Sequence, residues 1–137
     1  MTTIRQFSSP DTDAVLALWI EAGVSRPWLD LRSEIAEKLR RDPSLFLVAV
    51  DGDSVVGAVM GAYDGRRGWA YHLAVSPDRQ REGIGRELMQ ALETEMRAIG
   101  VSKLNLQVRA ENNQVVQFYE RLGYVDERLT SMGKWLR

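Results

Sequence analysis

Residues 73 to 89 read "LAVSPDRQREGIGRELM". The apolar Leu73, Ala74 and Val75 end a run suited to a strand, and Pro77 closes its exit. From Ile84 onward apolar residues recur about one helical turn apart, at Leu88, Leu92, Met96 and Ile99, so a helix begins at the glycines. Gly83 and Gly85 weaken that start, since glycine costs a helix roughly 1 kcal/mol against alanine. What they offer is access. A helix N-terminus presents unpaired N–H groups and the positive end of a dipole, and a glycine has no Cβ to keep an anion away. Arg79, Arg81 and Arg86 add charge and bidentate hydrogen bonding at the same place. The stretch reads as a pyrophosphate cradle; the bland alternative is an exposed helix start with solvated arginines. It is not a P-loop, because G-x-x-x-x-G-K-[ST] is missing. It is not a dinucleotide fingerprint, because the third glycine is missing.

Working outward, "WAYHLAV" is the strand that feeds the cradle. The turn "DGRRG" at 64–68 links it to "SVVGAVMGAY", and "DGD" at 51–53 links that strand to the continuously apolar "LFLVAV". Three strands therefore form an antiparallel meander. Upstream, Thr3 to Phe7 is a short first strand. Ser9 and Pro10 are a cap and a first helical residue for a helix over 10–22, with Val15, Leu16, Leu18, Trp19 and Ala22 on one face. "GVSRPWLD" breaks it, and Ile35 and Leu39 mark a second short helix. Downstream, Gly100 ends the cradle helix and "KLNLQV" is a strand with one buried face. Asn112 or Asn113 caps a last helix, with Val115, Val116, Tyr119 and Leu122 inward and Gly123 as its stop. "YVDER" and "MGKWL" are closing strands. The expected order is β-α-α-β-β-β-α-β-α-β-β, a mixed central sheet flanked by helices in the α/β class.

The 137 residues suit one domain. A net charge of −1 argues against a nucleic-acid surface. There is no cysteine and one histidine, His72, so disulfides, a cysteine nucleophile and a histidine zinc cluster are out. The apolar runs are too short to span a bilayer, and the first residues lack signal-peptide architecture, so a cytoplasmic protein is expected.

The stretch 73–89 resembles the acetyl-CoA motif Q/R-x-x-G-x-G/A of the GCN5-related N-acetyltransferase (GNAT) superfamily, filled by Gln80, Gly83 and Gly85. "NNQVVQFYERLGY" resembles that family's N-x-x-A-[IV]-x-F-Y-x-x-x-G-[FY], filled by Asn112, Val115, Val116, Phe118, Tyr119, Gly123 and Tyr124. The element order also matches from end to end. "RPW", "SLFLVA" and "VMGAYDG" further resemble YpeA-like small bacterial acetyltransferases.

The resemblance implies a single acetyltransferase domain over 1–137 with acetyl-CoA as co-substrate. Strands 69–75 and 103–108 would run parallel and splay apart. The main chain of Leu73, Ala74 and Val75 would pair with the pantetheine arm. The N–H groups of Arg81, Glu82, Gly83, Ile84, Gly85 and Arg86 would hold the pyrophosphate beside Gln80. Asn112 would bond the cofactor arm, and Tyr119 would protonate the leaving thiolate. An N–H near Ala74 or Val75 would polarise the thioester carbonyl.

Bland readings stand beside these roles. Tyr119 lies on an inward helix face, though Phe118 is the more natural packing residue. Asn112 is also a helix cap. Related N-terminal acetyltransferases carry glutamate in a segment like "L-E-V-R-x-x-N", where this chain has Gln107 in "LQVRAEN", so a base must be sought elsewhere. Tyr71, His72, Asp64 and Glu111 are the candidates. Histidine is attractive because imidazole titrates near neutrality, yet a lone histidine on a strand is more often structural. Trp28 either borders the acceptor or plugs the core edge; Trp69 and Trp135 are packing residues. Asp30, Glu34, Asp64 and Glu111 would attract a cationic amine. The expected activity is acetyl transfer to an amine of a small molecule or a protein, without nucleic-acid or membrane partners and with a homodimer open. The alternative is a non-catalytic acyl-CoA sensor on the same fold.

Overall fold

The structure, a computed structural model, describes all 137 residues. They divide into two compact units, Met1–Gln107 and Val108–Arg137. The first unit holds β1 (Thr2–Gln6), α1 (Thr12–Glu21), α2 (Leu31–Arg41), β2 (Phe46–Asp51), β3 (Ser54–Tyr63), β4 (Gly68–Val75), α3 (Ile84–Ala98) and β5 (Leu104–Leu106). The strands form one sheet in sequence order, antiparallel from β1 to β4 and parallel between β4 and β5. The mixed α/β sheet expected from the sequence is the one observed.

One face of the sheet packs on α1 and α2. Phe7 and Phe46 stack at 4.1 Å between ring centroids, Trp19 stacks on Phe46 at 6.0 Å, and Val15, Leu18 and Ile35 fill in around them. Burying each such side chain contributes about 1.5–3 kcal/mol. The other face takes α3, whose Leu88, Met89, Leu92 and Met96 are buried. The sheet meets that helix with glycine. A methyl group added at Gly57, Gly61 or Gly68 would lie 2.9 Å from Leu88 Cδ1, 2.5 Å from Leu92 Cδ1 and 2.9 Å from Met96 Sδ. One glycine thus answers each successive turn of α3, so the helix settles closely on the strands that carry its N-terminus.

The chain begins to turn after Ser8, one residue before the cap the sequence suggested, while α1 itself starts later, at Thr12, with Asp11 at its N-cap. Ser8 is the cap of a 3₁₀ turn over Ser9–Asp11 that leads into α1. Asp11 closes the box by accepting from the Ser8 N–H at 2.9 Å. It also takes a bidentate pair from Arg5 at 2.8 and 2.9 Å, which holds its carboxyl below the usual carboxylate range. This bond ties β1 to the start of α1.

In the second unit α4 spans Asn113–Arg121, and Gly123 follows it at φ +98°. The expected closing strands over 124–128 and 132–136 are not formed. Asp126 accepts the Arg128 N–H at 2.8 Å, an Asx turn, and Arg128 takes φ +57°. That local bond breaks the extended run, and a strand without a paired ladder has little to stabilise it. Val125, Leu129, Met132 and Leu136 are exposed, as is Trp135, which is therefore not the packing residue expected.

Candidate active site

β4 pairs with β5 only from Gly68 to Ala70, opposite Leu104 to Leu106. Beyond Ala70 its β5 side has no strand partner. On the β3 side the ladder continues, with an irregularity: Met60 pairs with Tyr71 and Ala58 with Ala74, so His72 and Leu73 both oppose Val59. This is a β-bulge, and His72 carries it at φ +54°, a conformation uncommon for a non-glycine residue.

The bulge is held from both sides. The Trp19 indole N–H donates to the His72 carbonyl at 3.0 Å, and the His72 ring bonds Glu34 at 2.9 Å through Nε2. The Ser76 N–H donates to the Val56 carbonyl, which fixes the phase of the ladder. Alternation then turns Ala74 toward β3 and turns Leu73 and Val75 toward the open side. The Ala74 main chain is thus turned into the ladder with β3, whereas the sequence expectation put it beside Leu73 and Val75 on the open side. The Val75 carbonyl accepts from Gln80 Nε2 at 3.0 Å. With Trp19 and Gln80 occupying two carbonyls, the open edge is left with the N–H groups of Leu73 and Val75 and the Leu73 carbonyl.

The chain then enters the glycine loop. Arg81 and Gly83 take left-handed φ of +67° and +85°, and Gly83 is the N-cap of α3 with no side-chain cap. The first bond of the helix is from the Glu87 N–H to the Gly83 carbonyl at 3.0 Å. The preceding N–H groups, Gly83 to Arg86 among them, have no backbone partner, the condition that favours an anion. Arg79 is not free for one. It bonds Asp51 at 3.0 Å and Glu82 at 3.0 Å, and so braces the loop. Arg81 and Arg86 are exposed and make no ion pair.

Among the base candidates, Tyr71 and His72 lie together, 6.5 Å between ring centroids. Asp64 is engaged in the β3–β4 turn, accepting from the Arg66 and Arg67 N–H groups at 2.7 Å and from the Trp69 indole at 3.2 Å. These bonds hold its carboxyl below the usual range. Glu111 is exposed in the second unit, and Trp28 is exposed in the loop between α1 and α2.

The acetyltransferase (GNAT) family model matches residues 9–124. The chain belongs to this family. An acetyltransferase of Pectobacterium atrosepticum is 44% identical over 97% of this chain and 94% of its own length. The structure of the ribosomal-protein-S18-alanine N-acetyltransferase from Escherichia coli is 26% identical with TM-score 0.76, over 90% of this chain and 77% of that one. The N-acetyltransferase PaiA of Thermoplasma acidophilum, solved with coenzyme A, has TM-score 0.85 over 95% of this chain and 93% of that one; at 20% identity the likeness is one of fold. The protein is an acetyltransferase, and acetyl-CoA is its co-substrate. The junction's donors fit such a molecule: amide-type groups along an open strand edge, then a run of N–H groups at a helix start.

In the second unit of this GNAT acetyltransferase, Tyr119 is buried and Phe118 only half-buried, the reverse of the packing expected from their chemistry. Tyr119 is packed edge-on by Phe118 and Tyr124, at 5.1 and 5.7 Å between centroids. Burial pushes its phenol up to about 12, above the ordinary phenol value. Asn112 occupies the N-cap of α4 through its carbonyl, which accepts the Val116 N–H at 3.2 Å; its side chain does not cap. The sequence reading missed Trp19 as a part of the site, and it named Glu34 only as a charge attracting an amine, not as the partner of His72. Trp19 has the periodicity of a core residue, and Glu34 lies on a polar helix face; neither carries a local signal of its partner.

Proposed function

We propose that the protein transfers the acetyl group of acetyl-CoA to a primary amine by direct attack, and that residues 1–137 act as one domain. The observation that carries this reading is the open edge of β4, which leads through Ser76 and a 3₁₀ turn over Pro77–Arg79 to the unpartnered N–H groups of the glycine loop. The Leu73 and Val75 main chain pairs with the pantetheine arm. The loop from Gln80 through Arg86 holds the pyrophosphate by its N–H groups, with Arg81 and Arg86 supplying charge. A Val75 N–H aimed at the thioester oxygen stabilises the developing oxyanion. The amine nitrogen bonds to the carbonyl carbon, the C–S bond breaks, and the thiolate takes a proton from the buried Tyr119 phenol, which recovers one from the nitrogen. Asn112, whose side chain is not used as a cap, binds the cofactor arm.

The E. coli relative is named for ribosomal protein S18 alanine. Gln107 stands where such enzymes carry glutamate, and an amide does not accept a proton usefully. A different acceptor and a different base follow. Thiol release from acetyl-CoA against polyamines, amino acids, aminoglycosides and N-terminal peptides tests the reading. One amine should support turnover, and Tyr119→Phe should lower it about 100-fold while acetyl-CoA still binds. Tight acetyl-CoA binding with no thiol release from any amine would mean an acyl-CoA sensor instead.

A further inference from the structure

We infer that His72, oriented by Glu34, is the group that takes the proton from the acceptor, and that the acceptor therefore arrives as a cationic amine. The inference rests on the acetyl-transfer reading above. His72 is the second residue past Ala70, the last residue of β4 that pairs with β5. At a strand rise of 3.3 Å per residue that is about 7 Å beyond the fork, and Leu73 and Val75, the open-edge residues, follow directly.

The ring is set in place by two residues, Trp19 and Glu34. Its backbone sits in the left-handed region at φ +54°, held there by the bond from the buried Trp19 to its carbonyl. Such conformations persist where the surroundings over-determine them, and they cluster at functional sites. Its ring packs edge-to-face with Trp19, 5.2 Å between centroids. Its Nε2 lies 2.9 Å from Glu34 Oε1. A carboxylate oxygen only accepts, so Nε2 carries the proton and Nδ1 is the bare nitrogen. Nδ1 has no hydrogen-bond partner in the fold. A carboxylate–imidazole pair with one nitrogen open is the arrangement of a general base. The groups facing the ring are Glu34 from α2, Trp19 from α1 and the Tyr71 phenol from β4.

The proton balance is complete. An ammonium gives one proton to Nδ1 and becomes a nucleophile. Its nitrogen bonds to the acetyl carbon as the C–S bond breaks. Tyr119 protonates the coenzyme A sulfur, the second nitrogen proton replaces the one Tyr119 has given up, and the imidazolium returns its proton to solvent. Glu34 is a positioning residue: its charge stabilises the imidazolium and fixes the tautomer.

Two probe amines test this. 1,4-Diaminobutane is cationic at neutral pH, whereas hydroxylamine is largely uncharged and needs no base to become nucleophilic. Thiol release from acetyl-CoA is measured with each, for the wild type, His72→Gln and Glu34→Gln, with folding checked by circular dichroism. The ratio of diamine to hydroxylamine rates should fall about 100-fold in His72→Gln, within the range of a lost general base, and about tenfold in Glu34→Gln. Since His72 is the only histidine, the imidazole ¹⁵N spectrum has one assignment. It should show Nε2–H with bare Nδ1 in the wild type, and lose that preference in Glu34→Gln. An unchanged ratio in His72→Gln, or a proton on Nδ1 in the wild type at neutral pH, overturns the inference. So does wild-type turnover with hydroxylamine but not with the diamine, which denies the cationic acceptor. Wild-type silence with both amines and with every amine of the acceptor panel overturns the acetyl-transfer reading itself, a distinct failure.

Discussion

The two halves of β4 make opposite use of the same kind of backbone. From Gly68 to Ala70 the strand is laddered on both sides, to β3 and to β5, and it sits on α3 through glycine. From Tyr71 to Val75 it is laddered on one side only, bulged at His72, and its loose carbonyls are taken by side chains, Trp19 on one and Gln80 on another. An unpaired strand edge is ordinarily a liability. Here the acceptors are largely covered and N–H donors are left, which suits an edge meant for a carbonyl-rich ligand rather than for another strand. The closed half anchors the open half.

Four substitutions separate the two halves, from the largest effect to the smallest. Gly61→Val, on β3 opposite Ala70, overfills the space beneath the closed half, where a Cβ would lie 2.5 Å from Leu92 Cδ1 and 3.0 Å from the Leu45 carbonyl. Overpacking of this kind should cost roughly 3 kcal/mol in urea denaturation, and an unmoved midpoint would show that α3 is not seated on the glycine track. Trp19→Phe strikes the open half, along with the packing of Trp19 on Phe46. It leaves the His72 carbonyl unpaired in a half-buried place and should cost about 2 kcal/mol. Amide resonances of 71–75 should shift while those of 68–70 stay; equal shifts in both would dissolve the distinction. Gly83→Ala is a third case. Nothing lies within 4 Å of the added Cβ, so the cost is backbone strain at φ +85°, roughly 1 kcal/mol. Acetyl-CoA affinity should fall severalfold by titration calorimetry, more than for an alanine at the equally open Gly52, which lies outside the cradle. Gln80→Leu removes an exposed cap from the Val75 carbonyl. Stability should move by no more than about 0.5 kcal/mol, with faster hydrogen exchange confined to 76–80 as the visible change.

Legibility in the sequence followed the range of the interaction involved. The meander, the cradle helix and its glycines were readable because each rests on neighbours in the chain: Ile84, Leu88, Leu92 and Met96 repeat at the helical period, and all four are buried. The cradle itself is seven consecutive residues. The failures were also local in origin. Ser8 rather than Ser9 caps the first turn because Asp11 reaches back to it. The closing strands were read from apolar spacing, which does not register that Asp126 captures the Arg128 N–H and turns the chain.

By itself, then, the sequence determined the class of fold, the position of the glycine loop between strand and helix, and the family to which its motifs point. Each follows from short-range periodicity, from turn chemistry, or from a contiguous motif. Only the tertiary structure decided which residues of β4 face the gap, that Arg79 braces the loop instead of awaiting an anion, and that Glu34 and Trp19 converge on His72 from 38 and 53 residues away. The physical reason is that a bulge and its supports are long-range facts. One extra residue in a ladder reverses which main-chain groups point outward, and no pattern along the chain records where that residue falls.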